Sequence, residues 1–580
     1  MKKLVTVILA IALCLSGAYA EGAAYTPGTY AAQAPGFGGA VNVEVTVSEN
    51  AIESVVIGEN AETVEIGTLA SDLLPGIIVG NQTLADGVSG ATFTSNAILR
   101  ATESALKAAG ASEETIAALK ANAPAAEIPA QNEADILVIG AGAAGMGAAI
   151  TAADEGASVI LIEKLDITGG TTRLSDGCIW GVGAKEMAKV QANFPELNLS
   201  FSSKDIVTHI REYNSVVRNE ALLERLADHS AYMMDYAVEN GLEFRQTYVT
   251  PSNQINRPHW RTLLSASSGA GVAKVLTKMV GERAIDLRLG TKATKLIVDE
   301  TGAVTGAEVE VAGGSYAIKA KNVILATGGF TFNKDMMAAY APGDYENSID
   351  IACVGTTGDG HNLGVEVGGY IVGEGALGIT CIGYDPSTNA SLWNPFLHVN
   401  TKGQKVARSD QYYPKMQEII NDQEKGEVYT IYGSDSYDVA SLETFVARGM
   451  MKKADTLEEL CAQLGIDAEG LKATLERHNA AALSGGIDDF GSVPATVKPV
   501  TEGPFYGCRR SACIMGTIPG LAVNEQLKVL REDGSVIENL YAAGEVMFGN
   551  VMNDLYPMTG TAIALSWTGG RLATLDALGK

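Results

Sequence analysis

The chain has 580 residues, of which 46% are hydrophobic and 19% are charged. This is enough apolar material for roughly two to four hydrophobic cores, so a disordered chain is disfavoured. With 42 basic and 68 acidic residues the formal net charge is -26, which disfavours nucleic acid and anionic membranes as partners and is most simply interpreted as a source of solubility.

The first 20 residues have the pattern of an export signal. Lys2 and Lys3 precede an apolar run at residues 4–15, and small residues stand at Ala18 and Ala20 before the expected cleavage point. A lipoprotein signal at Cys14 is the less favoured alternative, because the preceding leucine is bulkier than the small residue expected there. No later apolar run approaches the roughly 20 residues of a membrane span. We therefore expect an exported protein, periplasmic or at the cell surface, that is soluble after cleavage of residues 1–20.

The cysteines do not form a metal-binding pattern. Seven occur, and Cys14 leaves with the signal. The others are Cys178, Cys353, Cys381, Cys461, Cys508 and Cys513. None of them belongs to a C-x-x-C motif, so zinc, iron–sulfur clusters and attached haem are not indicated. Disulfides remain possible in an exported chain, although no spacing selects a pairing and buried free thiols are favoured.

Residues 21–110 form a small unit with two strand patterns. Residues 41–47 alternate apolar and polar side chains, and a further strand is predicted at 52–57. The decapeptide 86–95 then opens a helix that is predicted to end near Ala109. By itself this decapeptide predicts no more than a Ser/Thr-rich helix cap.

The run Ser89-Gly90-Ala91-Thr92 in that decapeptide resembles the attachment sequence of the FMN-binding domain shared by subunits of sodium-pumping quinone reductases and by exported flavoprotein reductases. The resemblance covers nearly all of residues 21–110 and implies a small α+β FMN-binding domain. It implies covalent FMN, joined through a phosphoester to Thr92, with Thr94 as the alternative hydroxyl. Asp86 would belong to the signal read by a flavin transferase.

A linker separates this unit from the rest of the chain. Residues 111–133 are rich in alanine and contain Pro124 and Pro129, which predicts a partly helical connection. A tether between two flavin domains and a simple spacer are both compatible with this composition.

The stretch 135–163 has the pattern of a dinucleotide-binding unit: a buried strand, a glycine turn, an alanine-rich helix and a second strand. Gly140 permits the turn, Gly142 lets the backbone approach a pyrophosphate, and Gly145 lets the helix pack on its strand. Ala143 and Ala144 begin the helix. Glu163 ends the second strand, where it can accept hydrogen bonds from a ribose. A bare G-x-G-x-x-G is weak, but these flanking elements make dinucleotide binding the favoured interpretation.

Further glycine-rich turns follow in a fixed order. They occur at 168–177, at 323–330, at 355–360 and at 539–546. The predicted cofactor contacts in these stretches and at 561–563 are Gly170, Thr171, Thr172, Gly177, Thr327, Gly328, Gly329, Asp359, Glu545, Thr561, Ala562 and Ile563.

Together these turns resemble the FAD-containing subunit family of fumarate reductase and succinate dehydrogenase, specifically its exported single-chain branch, which includes fumarate and urocanate reductases. The resemblance runs from about residue 134 to the end. It implies an α/β chain with a two-dinucleotide-binding-type FAD domain, formed by 134–372 and 501–580. An inserted α+β capping domain at 373–500 would close over the substrate. His478 is interpreted as structural.

No second strand, G-x-G-x-x-G and helix is available for NAD(P)H, since the turn 355–360 is not set between two parallel strands. We therefore expect the attached FMN to take electrons from a membrane quinol dehydrogenase or another extracytosolic donor and to relay them to non-covalent FAD. A vestigial FMN is the alternative.

The resemblance implies hydride transfer from reduced FAD to one carbon of an activated alkene, while an acid protonates the neighbouring carbon and hydrogen-bond donors hold the developing enolate. In fumarate and urocanate reductases that acid is an arginine, and arginines and histidines hold carboxylates. Here counting places Tyr413 at the acid position, and residues 515–520 read Met-Gly-Thr-Ile-Pro-Gly in place of the histidine pattern. Fewer cations argue against a small dicarboxylate.

The late turn Tyr556-Pro557 resembles that of flavin-dependent ketosteroid dehydrogenases and enone reductases, in which a tyrosine hydrogen-bonds a carbonyl. The hypothesis is therefore an α,β-unsaturated carbonyl substrate, with Tyr413 as proton donor and Tyr556 as donor to the carbonyl oxygen. Buried tyrosines satisfied by backbone carbonyls are the alternative.

A loop insertion would shift the count and make Arg408 the acid, which would restore a mechanism of the urocanate or fumarate type. Further candidates for an anion clamp are Arg257, His259, Arg261, Arg509 and Arg510. The sequence thus predicts a terminal respiratory reductase of activated alkenes. A ketosteroid-type dehydrogenase working in the oxidative direction and a flavin carrier without its own substrate are the rival hypotheses.

Overall fold

The computed structural model describes residues 24–35, 40–58, 67–84, 92–121, 128–195, 199–249, 263–343, 348–382, 397–411, 413–447 and 449–580. The chain divides into two units, 1–124 and 125–580. The predicted export signal, Asp86, Arg257, His259 and Arg261 lie outside the described residues. For Thr92 and Tyr413 the backbone alone is described.

In the part that the structure describes, the first unit is a three-stranded antiparallel sheet with three helices. Its elements are β1 (Gly28–Pro35), β2 (Ala40–Val47), β3 (Ile52–Ile57), α1 (Gly67–Asn81), α2 (Thr92–Ala108) and α3 (Glu113–Ala121). The strand order is β1-β2-β3, and the two strands predicted from the sequence are β2 and β3. Val41, Val43, Val45 and Val47 alternate along β2 and are almost fully buried, so one face of the sheet packs into the core.

Helix α2 begins at Thr92 and packs its buried face into the same core. Ile98, Ala101 and Leu106 are fully buried and recur at the spacing of one helix face. The helix ends close to the predicted boundary near Ala109. Thr94, the alternative attachment residue, is 3% exposed, so its side chain belongs to the buried face.

The second unit begins with strands and helices, and several of these strands belong to its main sheet. The elements before the predicted cap are β4 (Glu133–Ile139), α4 (Ala143–Asp154), β5 (Val159–Ile162), α5 (Gly170–Leu174), β6 (Cys178–Ile179), α6 (Lys185–Asn193), α7 (Ser203–Tyr213), α8 (Glu220–Glu239), β7 (Phe244–Val249), β8 (Leu263–Ser265), α9 (Ser268–Gly281), β9 (Ile285–Arg288), β10 (Lys292–Val298), β11 (Val304–Val311), β12 (Gly314–Leu325), α10 (Lys334–Tyr340), β13 (Ser348–Asp350), α11 (Asp359–Glu366) and β14 (Ile371–Val372).

The remaining elements form the predicted cap and return to the main sheet. They are β15 (Ala376–Ile382), β16 (Leu397–Asn400), α12 (Tyr413–Asn421), β17 (Val428–Tyr432), α13 (Val439–Ala447), β18 (Lys452–Ala454), α14 (Leu457–Leu464), α15 (Ala468–Ser484), β19 (Phe505–Thr517), β20 (Gly520–Leu521), β21 (Lys528–Leu530), β22 (Val536–Ala542) and α16 (Thr561–Ala577). Short 3₁₀ turns lie at Glu424–Gly426, Pro494–Thr496 and Glu545–Asn550.

The main sheet has eight strands and a parallel centre. Strand β4 pairs in parallel with β5 and β12, β5 pairs in parallel with β9, and β22 pairs in parallel with β12. The strands β10, β11 and β12 form an antiparallel extension. Because parallel strands end at one edge, the turns after β4, β5, β12 and β22 lie together at the carboxyl edge of the sheet.

Helices α4 and α16 pack against each other at very close range. A Cβ atom at Gly570 would overlap the carbonyl of Ala144, and one at Gly147 would lie 2.5 Å from the indole of Trp567. Trp567 is buried in the same hydrophobic core as β4 and β12. These glycines therefore let the helix after the first turn pack on the last helix of the chain.

A six-stranded sheet forms the predicted cap. Its order is β13-β19-β17-β16, with β15 and β18 also pairing with β19. Strands β13 and β19 lie outside 373–500, so this sheet extends beyond the expected insertion at both ends. His478 is buried in α15, and its Nε2 lies 2.8 Å from the carbonyl oxygen of Lys498, which accounts for it as a structural residue.

No helix in the described part of the chain is both long enough and apolar enough to cross a membrane. Cys353, Cys461, Cys508 and Cys513 are buried free thiols, the state favoured from the sequence, and Cys178 is also buried.

Candidate active site

A cavity lies at the carboxyl edge of the parallel strands. The predicted cofactor residues that line it are Gly140, Gly142, Ala143, Ala144, Glu163, Gly170, Thr171, Thr172, Thr327, Gly328, Asp359 and Glu545. Gly145, Gly177, Gly329 and residues 561–563 are not part of its lining. Five separate stretches of sequence, 135–163, 168–177, 323–330, 355–360 and 539–546, therefore meet around one cavity.

The turn after β4 has the geometry required for a bound pyrophosphate. Gly140 has a φ of +104°, and a Cβ there would lie 2.5 Å from the carbonyl oxygen of Ala326. At Gly142 a Cβ would meet no atom within 4 Å, because the position faces open space. No side chain caps the start of α4. Its first amides are consequently available to an anion, which the positive end of the helix also attracts.

Glu163 lies in the cavity wall and is held by the backbone. The N–H of Ala141 donates to Oε2 at 2.8 Å, and the N–H of Leu165 donates to Oε1 at 2.9 Å. Burial raises the pKa of this carboxyl group above its ordinary value, although the two amides oppose that shift. Each carboxylate oxygen keeps a second lone pair, so the group fits a ribose that donates two hydroxyls.

Lys164 was missed by the sequence reasoning. Its Nζ donates to Asp359 Oδ2 at 2.7 Å and to Thr357 Oγ1 at 2.6 Å. The pair joins the end of β5 to the start of α11 at the cavity. The only available signal was its position directly after the strand-ending acid, which does not distinguish it from an ordinary surface lysine.

Thr327 supplies a buried polar atom without a partner among the described residues. Its Oγ1 has no hydrogen-bond partner, and the residue lines the cavity. The next residue, Gly328, has a φ of +72°. Since buried polar groups are normally satisfied, this hydroxyl fits a ligand with polar atoms. The uncapped helix, the ribose-facing acid and this hydroxyl together fit an adenine dinucleotide.

Glu545 is another residue of the cavity wall. It accepts from the N–H of Thr517 at 2.6 Å and from Thr517 Oγ1 at 3.1 Å. Burial raises its pKa to about 7, and the charge of Asp350 adds to that shift. A Cβ at Gly329 would overlap the Glu545 carboxylate. Gly329 is therefore needed for packing rather than as a cavity wall.

Tyr556 lies at the beginning of α16. The N–H of Ala562 donates to its phenol oxygen at 3.1 Å, and the side chain is 9% exposed. Burial raises the pKa of Tyr556 well above its ordinary value. Beside it, Trp180 Nε1–H donates to Thr561 Oγ1 at 3.2 Å. The structure therefore joins Tyr556 to the helix start at residues 561–563 that was predicted to face the flavin.

Arg408 is held by a neighbouring acid in the predicted cap. Its Nε and Nη2 donate to the two carboxylate oxygens of Asp410 at 3.1 and 2.7 Å. The hydrogen bond that the guanidinium donates to Asp410 raises its pKa, which makes it a weaker acid. Tyr413 is the first residue of α12, and its side chain lies outside the described atoms. The three predicted catalytic residues are thus not shown together.

The two arginines of β19 point to opposite faces. Arg509 is exposed, and Arg510 is 3% exposed. Neither lines the cavity. Successive strand residues alternate in direction, so the pair cannot act as one clamp.

Two family models match the chain. The model described as FAD binding domain matches residues 135–563, and the one described as FMN-binding domain matches residues 36–107. Both expected cofactors, FAD and FMN, are therefore those of domains present in this chain.

Characterised relatives cover most of the chain. Urocanate reductase of Eggerthella lenta is 31% identical over 92% of this chain and 88% of its own length. Fumarate reductase (cytochrome) of Shewanella frigidimarina is 31% identical over 76% of each chain. NADH:acrylate oxidoreductase of Vibrio harveyi is 28% identical over 95% of this chain, which spans 61% of that protein.

Solved structures show the same fold for the second unit. The open conformation of a flavocytochrome c3 fumarate reductase has a TM-score of 0.64 and 26% identity over 78% of this chain and 79% of that one. The 3-ketosteroid Δ1-dehydrogenase from Sterolibacterium denitrificans has a TM-score of 0.66 and 22% identity over 78% of this chain and 100% of that one. At 22% identity, the similarity to the ketosteroid dehydrogenase shows a shared fold and nothing more.

The predictions of the fold class, of both flavins and of an FAD-dependent oxidoreductase are confirmed by these matches. The chain belongs to the FAD-binding flavoprotein family of the urocanate and fumarate reductases, with an FMN-binding domain preceding its FAD-binding domain.

Proposed function

We propose that this protein is an extracytosolic flavin-dependent reductase that saturates the activated C=C bond of an α,β-unsaturated acid or ketone. The observation that carries this proposal is that the similarity to a C=C reductase, urocanate reductase, extends over 92% of the chain and so includes both flavin domains. The cavity residues fit FAD, and bound FAD would supply a hydride equivalent to an electron-poor carbon.

The first contribution of the chain is to hold the cofactor. The amides at the start of α4 would bind the pyrophosphate of FAD, and Glu163 would accept hydrogen bonds from its ribose hydroxyls. Lys164 is already joined to Asp359 at 2.7 Å, so it fixes the cavity wall rather than serving as a free cation. Glu545 accepts a hydrogen bond from Thr517, the last residue of β19, and so holds the end of that strand at the cavity.

The second contribution is a neutral hydrogen-bond donor for the substrate carbonyl. Burial raises the pKa of Tyr556, so the phenol keeps its proton at neutral pH. The N–H of Ala562 donates to the phenol oxygen, which polarises the O–H as a hydrogen-bond donor. A donor directed at an oxygen that becomes an enolate stabilises the transition state more than the ground state.

The third contribution is a proton for the other alkene carbon, and we assign it to Tyr413. Arg408 is the alternative. Its guanidinium is bound to Asp410 at both Nε and Nη2, which supports the tyrosine.

Electrons would enter through FMN attached to Thr92 and supplied by a membrane quinol dehydrogenase or another extracytosolic donor. The FMN-binding domain at 36–107 supports this proposal, and a flavin transferase would attach the cofactor. In a host with that transferase, Thr92→Ala should abolish flavin fluorescence of the denatured protein on a gel. Thr94→Val should keep it. Fluorescence that survives Thr92→Ala would refute the assignment.

Export is supported by the charge and hydropathy pattern of residues 1–20. Fractionation of a native host should recover a shortened, FMN-labelled chain outside the cytoplasm. Recovery of the full-length chain in the cytoplasm would contradict the proposal.

The substrate is best tested by anaerobic reoxidation of the reduced holoenzyme with acrylates, enones and dicarboxylates. Reoxidation by enones and monocarboxylates would support the proposed class. A carboxylate-specific reductase is the second candidate, because urocanate, acrylate and fumarate are all carboxylates; reoxidation by acids alone would favour it. Faster turnover with an oxidised dye than with a reduced viologen would instead indicate a dehydrogenase, and no reoxidation by any alkene would indicate an electron carrier.

A further inference from the structure

Asn214 binds the backbone of the segment that leads to Tyr556. It follows α7 directly and is 7% exposed. Its Oδ1 accepts from three successive amides, those of Asn553 at 2.7 Å, Asp554 at 3.1 Å and Leu555 at 3.2 Å. Its Nδ2 donates to the carbonyl of Ile210 at 3.1 Å. One side chain therefore satisfies amides that belong to neither a helix nor a strand.

Two residues near the end of α7, Ser215 and His209, also hold this segment, one on each side of Tyr556. The N–H of Ser215 donates to the Asp554 carboxylate at 3.0 Å. On the other side, His209 Nε2 lies 3.1 Å from the carbonyl oxygen of Pro557, and His209 is 8% exposed. The end of α7 thus holds the chain immediately before and immediately after the phenol.

Asn553 connects this segment to the chain that enters the six-stranded sheet. Its carbonyl accepts from the N–H of Glu374 at 2.9 Å, and its Nδ2 lies 3.4 Å from Glu374 Oε1. Its side chain also binds Ser215 Oγ at 2.9 Å and Arg218 Nη2 at 3.0 Å. Asn553 itself is 2% exposed. Two independent contacts therefore join the Tyr556 segment to Glu374.

Glu374 lies in the connection between β14 and β15. It is flanked by Gly373 with a φ of +91° and Gly375 with a φ of +82°. Strand β14 pairs with β20, whereas β15 pairs with β19 in the six-stranded sheet. Paired glycines at positive φ are suited to a bend. Glu374 therefore lies where the chain turns from its pairing with β20 into the six-stranded sheet.

We infer that Asn214, Asn553 and Glu374 are positioning residues for Tyr556. They fix the position of Tyr556 relative to the segment that enters the six-stranded sheet. This inference rests on the proposed role of Tyr556 as carbonyl donor. A misplacement of about 1 Å can cost roughly 100-fold in rate, so the loss of the Asn214 oxygen should affect the step that uses the phenol. Flavin binding should be unaffected, because none of the three residues lines the FAD cavity.

The first test uses two Asn214 variants of the holoenzyme. Asn214→Leu removes the acceptor, and Asn214→Asp keeps an oxygen in its place. By stopped-flow, Asn214→Leu should slow reoxidation of the reduced enzyme by an enone about 10- to 100-fold, while reduction by a viologen stays unchanged. Asn214→Asp should restore most of the rate. Equal slowing of both half-reactions in Asn214→Leu, or no rescue by Asn214→Asp, would overturn the inference.

A second measurement follows the amides themselves. Hydrogen exchange in a peptide covering 551–558 should be faster in Asn214→Leu than in the wild type, since three amides lose their acceptor. Asn479→Leu is the matched control: Asn479 likewise holds a backbone pair, at Val500, with bonds of 2.9 and 2.8 Å. It should leave both the exchange of 551–558 and the enone step unchanged. Unaltered exchange in Asn214→Leu would refute the clamp whatever the activity.

The link to the cap is tested at Asn553 and Glu374. Asn553→Ala keeps the backbone amide that binds Asn214 but removes the side-chain contacts. Glu374→Ala removes the contact between Asn553 Nδ2 and Glu374 Oε1, and Glu374→Gln keeps that contact. The two alanine variants should slow the enone step, and their effects should not multiply when combined. If the rate losses of Asn553→Ala and Glu374→Ala multiplied in the double variant, the two residues would act separately.

A double-mutant cycle separates this inference from the function it rests on. If Asn214 acts through Tyr556, Asn214→Leu should have little effect on the enone step in a Tyr556→Phe background. A full additional loss there would overturn the positioning role. If Tyr556→Phe alone retains full activity, the proposed role of Tyr556 fails and the kinetic part of this inference fails with it, whereas the exchange experiment still decides whether the clamp exists.

Discussion

The phenol oxygen of Tyr556 accepts a hydrogen bond from the N–H of Ala562 at 3.1 Å. Because Ala562 lies in the first turn of α16, the phenol meets the positive end of a helix dipole. Burial acts in the opposite direction and raises the pKa of the phenol. The result is a protonated side chain whose O–H is polarised, which suits a hydrogen-bond donor better than a base.

Tyr556→Phe should reduce the rate of enone reduction about 100-fold or more, the usual loss for one donor to a developing oxyanion. The rate of flavin reduction should not change. Tyr506→Phe is a matched control, because it removes a buried phenol that donates to Glu443 at 2.7 Å. Stopped-flow measurement of both half-reactions checks this prediction. An equal effect of the two variants would contradict it.

Gly140→Ala should prevent FAD binding. The position has a φ of +104°, and the new Cβ would lie 2.5 Å from the carbonyl oxygen of Ala326. Gly156→Ala is the control, since its φ is +81° but no atom lies within 4 Å of the added Cβ. The control should lose about 1–2 kcal/mol of stability and retain FAD. Flavin absorbance of the purified proteins and their thermal unfolding decide between these outcomes.

Glu545 should make the stability of the FAD-free protein depend on pH. Its folded-state pKa is about 7, against an ordinary value of 4.5. A carboxyl group with a raised folded-state pKa binds its proton more tightly in the folded protein. Its contribution is therefore present below about pH 4.5 and is lost as the pH rises through about 7.

The difference between wild type and Glu545→Gln isolates this contribution. Glutamine keeps an oxygen for the Thr517 amide but does not titrate. The unfolding free energy of the wild type should fall relative to that of the variant between about pH 4.5 and 7. A constant difference across that interval would show that Glu545 does not titrate there.

Arg408→Gln and Tyr413→Phe should separate the two candidates for the proton donor. Loss of a general acid reduces turnover by roughly 100-fold or more. We expect that loss for Tyr413→Phe. Arg408→Gln should lose only the ion pair with Asp410. That loss lowers stability, because the Asp410 carboxylate is buried, but it leaves the proton donor in place. Initial rates of alkene reduction check both variants, and the reverse order would assign the acid to Arg408.

Local patterns were sufficient for the main sheet and its turns. Gly140 and Gly328 are required by backbone geometry within a few residues, and β2 and β5 follow from short apolar patterns. Such features are visible in a sequence because their causes lie close together along the chain. Thr92 likewise belongs to a short run that indicates its family without any tertiary information.

Tertiary structure alone decided how distant residues meet. Asn214 contacts residues about 340 positions later in the chain, and Lys164 meets Asp359 from 195 positions away. A buried asparagine or a lysine after a strand carries no local pattern that names its partner, because hydrogen-bond geometry depends on how the whole chain packs. The sequence therefore determined the two flavin domains and their glycine turns, whereas only the folded chain decided that the end of α7 holds Tyr556.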